Sequence, residues 1–171
     1  RSWERPVSAE LISADGSEPG FQIDAGMRLQ GGSSRNPDIP KHSLSLRFRR
    51  DYGAGKLQYP LFRDAPFGDT AVEEFDFLQL RAGFNFAWTH RHYYQARHAQ
   101  YNRDQWVNDL YLAMGQPGSH GRWVHLYLNG LYWGLFHVHE RPDGDFMASY
   151  FGGESDDYDA LSSGQPKSGD T

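Results

Sequence analysis

The chain contains no cysteine, so disulfide staples and thiolate metal sites are excluded. That absence does not fix the compartment. No apolar run approaches the ~20 residues of a membrane-spanning helix, and no membrane span is expected. An excess of base is also missing: 17 Lys and Arg stand against 22 Asp and Glu, a net charge of −5 that argues against bulk nucleic-acid binding. Internal repeats and a second domain are not recognisable. What is abundant is aromatic, 15% of the chain, alongside 19 Gly and 9 Pro, the composition of a strand-and-turn protein. A length of 171 residues fits a single domain, 1–171, with a sizeable core. Charge is unevenly spread. Residues 81–103 hold Arg81, Arg91, Arg97, Arg103 and three His, with no acid before Asp104.

The stretch 123–140, WVHLYLNGLYWGLFHVHE, organises the rest. Two aromatic-rich runs flank Asn129-Gly130, and both of these residues tolerate the positive φ of a type I′ hairpin turn. The turn predicts that Leu128 faces Leu131, Tyr127 faces Tyr132, Leu126 faces Trp133 and His125 faces Gly134. Neither face of the resulting hairpin is polar along its length, which predicts a central position in the sheet with Leu126 and Trp133 both buried. Gly134 either admits a close approach to the backbone or relieves crowding among the rings.

Alternation along the chain predicts further strands. Residues 6–12 and 21–29 read as two of them, the second with Phe21, Ile23, Ala25, Met27 and Leu29 on one face. A Gly/Ser-rich loop, residues 30–40, leads into KHSLSLRFR, with Leu44, Leu46 and Phe48 inward and Arg47 and Arg49 solvated or paired. Residues 51–72 are turn-rich and are expected to wrap the surface. Residues 75–81 form a short strand ended by Ala82-Gly83. Residues 91–114 are the one long helical candidate, starting as late as Asn102 and ended by Gly115. Residues 142–150 read as a short helix, 158–161 as the start of a strand, and the polar tail as frayed. The fold class is α+β: an antiparallel sheet of about five or six strands with one main helix.

Four blocks in order, QGGSSRNPDIPKHSLSLRF, LRAGFN, YNRDQW and HLYLNGLYWGLFHVHERPD, resemble the spore-coat-protein CotH kinase family, over about residues 5–165. The resemblance implies an atypical protein-kinase-like fold. Residues 5–141 are then the upper lobe and hinge, and 142–165 the start of the lower lobe. It implies ATP and Mg2+ as nucleotide and metal, and a serine-bearing protein as substrate. A bacterial surface, a spore coat or secretion is the implied setting. The family's paired lysines are here Lys41-His42. Its catalytic and metal-binding aspartates include a Trp-Asp-x-Asp signature, and no Trp in this chain is followed by Asp. The catalytic half is therefore expected outside these residues.

Phosphoryl transfer is mostly positioning and charge neutralisation. Gly32, Ser33, Ser34 and Arg35 can present amides, hydroxyls and a bidentate guanidinium to phosphates, or simply form a turn. Lys41 can reach the same anion or sit solvated at a strand edge. Arg103 either faces phosphates or pairs internally, and Asp104 complements the helix N-terminus. Glu140 either marks the hinge that presents backbone groups to adenine or is a buried, paired glutamate. His137-x-His139 places two imidazoles on one strand face, but a zinc site needs more ligands, and no metal site is assigned. Two other classes stay open, a carbohydrate-binding module with rings exposed for stacking and a non-catalytic structural scaffold. On the kinase reading, this chain incubated with Mg-ATP and a serine-containing protein should transfer no phosphate. Labelling of the acceptor that disappears with Lys41→Ala would overturn that expectation.

Overall fold

The computed structural model describes residues 3–162 and 164–168. Its elements in chain order are β1 (Glu4–Leu11), β2 (Phe21–Gln30), β3 (Ser43–Arg47), β4 (Leu57–Gln58), β5 (Glu74–Phe75) and β6 (Phe77–Arg81). Helices α1 (Tyr93–Arg97) and α2 (Arg103–Ala113) follow, then β7 (Gly121–Leu128), β8 (Leu131–His139), α3 (Gly144–Phe151), β9 (Ala160–Ser162) and β10 (Gln165–Ser168). The fold is α+β, as the alternation predicts. Six strands form one antiparallel sheet in the order β1-β2-β3-β6-β8-β7. The sequence strand–helix–hairpin, with α2 between β6 and the β7–β8 pair, is consistent with the upper lobe of a kinase-like fold.

The two faces of the sheet differ in chemistry. One carries Ala25, Leu44, Leu78, Leu80, Phe136 and Val138, all buried. These pack against Leu57, Tyr59, Leu61, Phe62 and Phe75. The turn-rich segment 51–72 was expected on the surface, and instead it supplies Leu57, Tyr59, Leu61 and Phe62, four of the thirteen buried residues of the core cluster among the described residues. Its turns are spaced so that large side chains project inward between them, and β4–β5 pairing fixes their depth. The opposite face is polar: Glu4, Arg28, Ser45, Gln79, His139 and Gly121 lie opposite one another in a single row across the sheet.

The hairpin corrects the sequence reading in an informative way. Asn129 and Gly130 have φ of 50° and 79°, the turn expected. Leu128 faces Leu131 and Tyr127 faces Tyr132. The register then shifts, and Leu126 faces Gly134 rather than Trp133. Trp133 is the extra residue of a β-bulge, with Gly134 at φ 121° beside it. A one-residue slip moves every later side chain to the other face. Phe136 and Val138 therefore join Val124 and Leu126 in the core, while His137 and His139 turn to the polar face. Trp133 is 50% exposed, not buried. The hairpin is not central either: β7 is an edge strand, and the end of the hairpin is exposed at Tyr127, Leu131 and Tyr132.

The helical candidate 91–114 divides in two, since residues 98–102 break the periodicity between α1 and α2. Met114 closes α2, and Gly115 follows at φ 71°. The Asp143 carboxylate caps α3 by accepting from the Phe146 amide at 3.2 Å. The tail expected to fray instead pairs as β10 with β9. Residues 163 and 169–171 lie outside the described residues.

The bulge makes a stability prediction. Phe136→Ala removes a fully buried ring and should cost about 3–5 kcal/mol, whereas Trp133→Ala at the exposed bulge should cost less than about 1.5 kcal/mol. Urea unfolding of the two variants checks this; equal losses would restore the unbulged register.

Candidate functional site

The polar face ends in a groove of about 360 Å³ lined by Gln30, residues 31–34, Ser43, Gln79, Arg81, Phe84 and Asn85. Its roof is the β2–β3 loop. Gly31 has φ 107°, and a side chain there would collide with the Ser34 hydroxyl, so the tight turn requires glycine. Ser34 donates to the Gln30 carbonyl at 3.3 Å, the Arg35 amide donates to the Gly32 carbonyl at 3.1 Å, and His42 Nδ1 lies 2.7 Å from the Ser34 carbonyl. The loop is thus braced from both sides.

The floor is basic. Arg81, at the end of the strand before the helices, pairs with Asp104 in the first turn of α2. The Arg81 and Arg103 guanidiniums both lie against the Phe86 ring, at 5.9 and 5.4 Å from its centre. Helix α2 is held to the sheet by polar contacts: Asn108 bridges the Asp104 carbonyl at 3.0 Å and the Ser119 amide at 3.0 Å. Gly121 lets Gln105 and His137 come together, because a side chain there would collide with both.

The residues anticipated from sequence separate into groups. Gly32, Ser33 and Ser34 line the groove, and Arg35 is exposed on the same short turn. Lys41 reaches past the end of β6 to β8, where its ammonium donates to the Leu135 carbonyl and sits 4.2 Å above the Phe136 ring. It occupies the notch left by Gly134. Burial there pushes its pKa below the usual lysine range. Arg103 donates to the His98 carbonyl at 2.9 Å. Glu140 is 3% exposed and does not line the groove. It accepts from the His120 amide at 2.8 Å and the Tyr150 hydroxyl at 2.7 Å, and it lies 2.9 Å from His120 Nδ1. His120 Nε2 in turn meets Thr70 Oγ1 at 2.9 Å. Burial, then the Glu140 charge, push the Tyr150 phenol far up, so it remains a donor. This network ties the end of the sheet to α3.

Arg81, Gln79, Ser43 and Asn85, which line the groove, and Asp104, which pairs with Arg81, were not assigned to the site from sequence. The signal for the pair was present: the acid-free run from Arg81 ends at Asp104. A larger concavity, about 910 Å³, lies against β4, β5 and α3, lined by Glu73, Glu74, Asp76, Asp145, Glu154 and Lys56. Its acids would repel a phosphate group. Among the described residues, no cluster of three His, Asp or Glu gathers where a metal ion could be held.

A cation on the strand preceding a helix, ion-paired to that helix beneath a Gly-rich loop, is the arrangement of kinase-like phosphotransferases. Residues 27–168 match the family model described as CotH kinase protein, and the chain belongs to that family. No curated protein and no solved structure matches it.

His137 and His139 stand under the Arg81–Asp104 pair, their rings stacked 5.6 Å apart, each Nε2 buried without a hydrogen-bond partner. Burial, with Asp104 opposing and Arg81 adding, lowers His137 from 6.5 to about 4. Burial, Arg81 and His137 lower His139 well below its ordinary value. A folded pKa below the unfolded one means the unfolded chain takes up protons first. The stabilising contribution is whole above pH 6.5 and is lost as the pH falls toward about 4. Urea unfolding across that window should show wild type losing more stability than the His137→Asn/His139→Asn variant. Parallel curves would contradict the assignment.

Proposed function

We propose that this chain supplies the nucleotide-binding half of a CotH-type protein kinase, with ATP as phosphate donor and protein serine as acceptor. The observation that carries the reading is Arg81. It lines the groove beneath the Gly31–Ser34 turn and is oriented by Asp104 of α2. A planar guanidinium matches phosphate oxygens bidentately, and a paired carboxylate fixes its direction before the ligand arrives. Ser33 and Ser34 add hydroxyls from the opposite wall, and Arg103, sharing the Phe86 ring with Arg81, adds positive potential at the edge. Arg35 and Lys41 belong to the same proposal in different ways. Arg35 is free to swing toward the triphosphate, and Lys41 positions the loop by fastening its end to β8. Glu140 positions the hinge through His120 and Tyr150. Mg2+ is the metal the family implies. The described residues hold no group of three or more His, Asp or Glu that could bind it.

A second reading, a non-catalytic structural or carbohydrate-binding module, has one observation in its favour. All five tryptophans are exposed, from Trp123 at 37% to Trp88 at 72%, and exposed rings can stack on sugars. Titration separates the two. ATP should bind with an affinity that falls as salt rises. Arg81→Gln should weaken it at least ~10-fold, by loss of a charge-assisted bidentate contact, while exposed Arg63→Gln should leave it unchanged. Salt-independent binding, or equal affinity in Arg81→Gln, would remove the groove as the nucleotide site. Saturable binding of an oligosaccharide without nucleotide binding would favour the module.

A further inference from the structure

Helix α2 is built inside out. Its side toward the sheet is polar. Asp104 meets Arg81, Asn108 accepts from the Ser119 amide at 3.0 Å, and Gln105 donates to Asp109 at 2.7 Å and to the Ser119 carbonyl at 3.3 Å. Its other side is apolar. Trp106, Val107, Leu110, Tyr111 and Met114 follow one another at three- and four-residue spacing, which sets them in one stripe along the helix. All five are exposed, from Val107 at 40% to Met114 at 65%, and no residue of α2 is buried. A helix on a globular domain turns such a stripe toward the core. Left outside, a contiguous apolar patch marks an interaction site. None of the five residues lines the groove or the acidic concavity.

Charge says what covers the stripe. Residues 82–103 carry Arg91, Arg97 and Arg103 and no acid, in a chain whose net charge is −5. Among the described residues, none of the three arginines pairs with an acid. Arg103 stands three residues before Trp106 and four before Val107, on the side of the stripe, and its donation to the His98 carbonyl at 2.9 Å ties the end of α1 to the start of α2. Arg97 donates to the Tyr93 hydroxyl at 2.9 Å and lies 5.2 Å from the centre of that ring. Trp88, Tyr93 and Tyr94 are strongly exposed beside these cations, and Trp88 packs edge-on to Tyr101 just ahead of α2. Amphipathic rings, an aliphatic stripe and acid-free arginines together suit the boundary of an anionic bilayer. Trp and Tyr settle at headgroup depth, Val, Leu and Met enter the edge of the acyl layer, and arginine meets lipid phosphates.

We propose that the outer stripe of α2, with Arg91, Arg97 and Arg103, docks this domain on an anionic lipid surface, the helix lying flat in the headgroup layer. The polar side of α2 keeps its bonds to the sheet in that position, so Asp104 continues to orient Arg81 while the opposite side is covered. Docking at the stripe and occupation of the groove therefore do not exclude each other. The inference rests on the helix and its charges and not on the kinase reading.

The test mixes the full chain with vesicles of phosphatidylcholine, alone or with phosphatidylglycerol added, and reads binding by co-sedimentation and by tryptophan emission. Anionic vesicles should bind at least ~10-fold more tightly than neutral ones, and the preference should shrink as salt rises. Emission should move to shorter wavelength as Trp106 leaves water. Trp106→Ser/Leu110→Ser should abolish binding, and Arg91→Gln/Arg97→Gln should weaken binding to anionic vesicles several-fold. Both variants change exposed positions and should keep the wild-type urea midpoint, while Arg63→Gln, outside the stripe, should bind vesicles as the wild type does. Equal binding to neutral and anionic vesicles, or undiminished binding by Trp106→Ser/Leu110→Ser, would overturn the proposal. So would a concentration-dependent dimer, formed without lipid and dispersed by that variant, in a chain that binds no vesicles. The stripe would then be an interface between two copies.

Discussion

The β-bulge at Trp133-Gly134 is the constraint on which the rest of the molecule depends. With one extra residue in β8, the hairpin beyond it changes face. Phe136 and Val138 enter the core, and His137 and His139 arrive beneath α2. The glycine at the bulge also opens the notch that receives Lys41, which fastens the β2–β3 loop across the end of β6. Core packing, loop position and the floor of the groove thus follow from one irregularity in a ladder. A bulge of this kind re-aims side chains while keeping the strands paired.

The polar face is built unlike the apolar one. Its groups are not uniformly satisfied: Ser45 Oγ, Arg47 Nε and the Nε2 atoms of His137 and His139 are buried without partners. Native interiors leave few such groups, and each is costly to bury. All four stand on the side of the sheet that carries the groove. The Glu140–His120–Tyr150 network, also buried, is by contrast fully bonded, and it serves to hold α3 against the sheet.

The strand pattern was legible because alternation in 21–29, 43–48 and 77–81 leaves few other conformations for those segments. The Asn129-Gly130 turn was legible because it needs two residues tolerant of positive φ. The family was legible from four ordered blocks, and the loop 32–34 from the glycines that let it turn. Less could be read where contacts are distant in the chain. Arg81 and Asp104 are 23 residues apart and meet only because α2 folds back over β6. Lys41 and Leu135 are 94 apart.

Local chemistry by itself determined which segments are strands, where the hairpin turns, and that the chain makes a tight glycine-bearing turn before β3, because these depend on backbone sterics and on neighbours within a few residues. Only the tertiary structure decided the face on which the residues of β8 beyond the bulge lie. The bulge that settles it arises when β8 must pair with β7 and β6 at once, packing Phe136 into the core, and no pattern within the hairpin states that requirement. The same holds for the turn-rich segment 51–72, whose apolar side chains gained an interior only when the sheet curved over them.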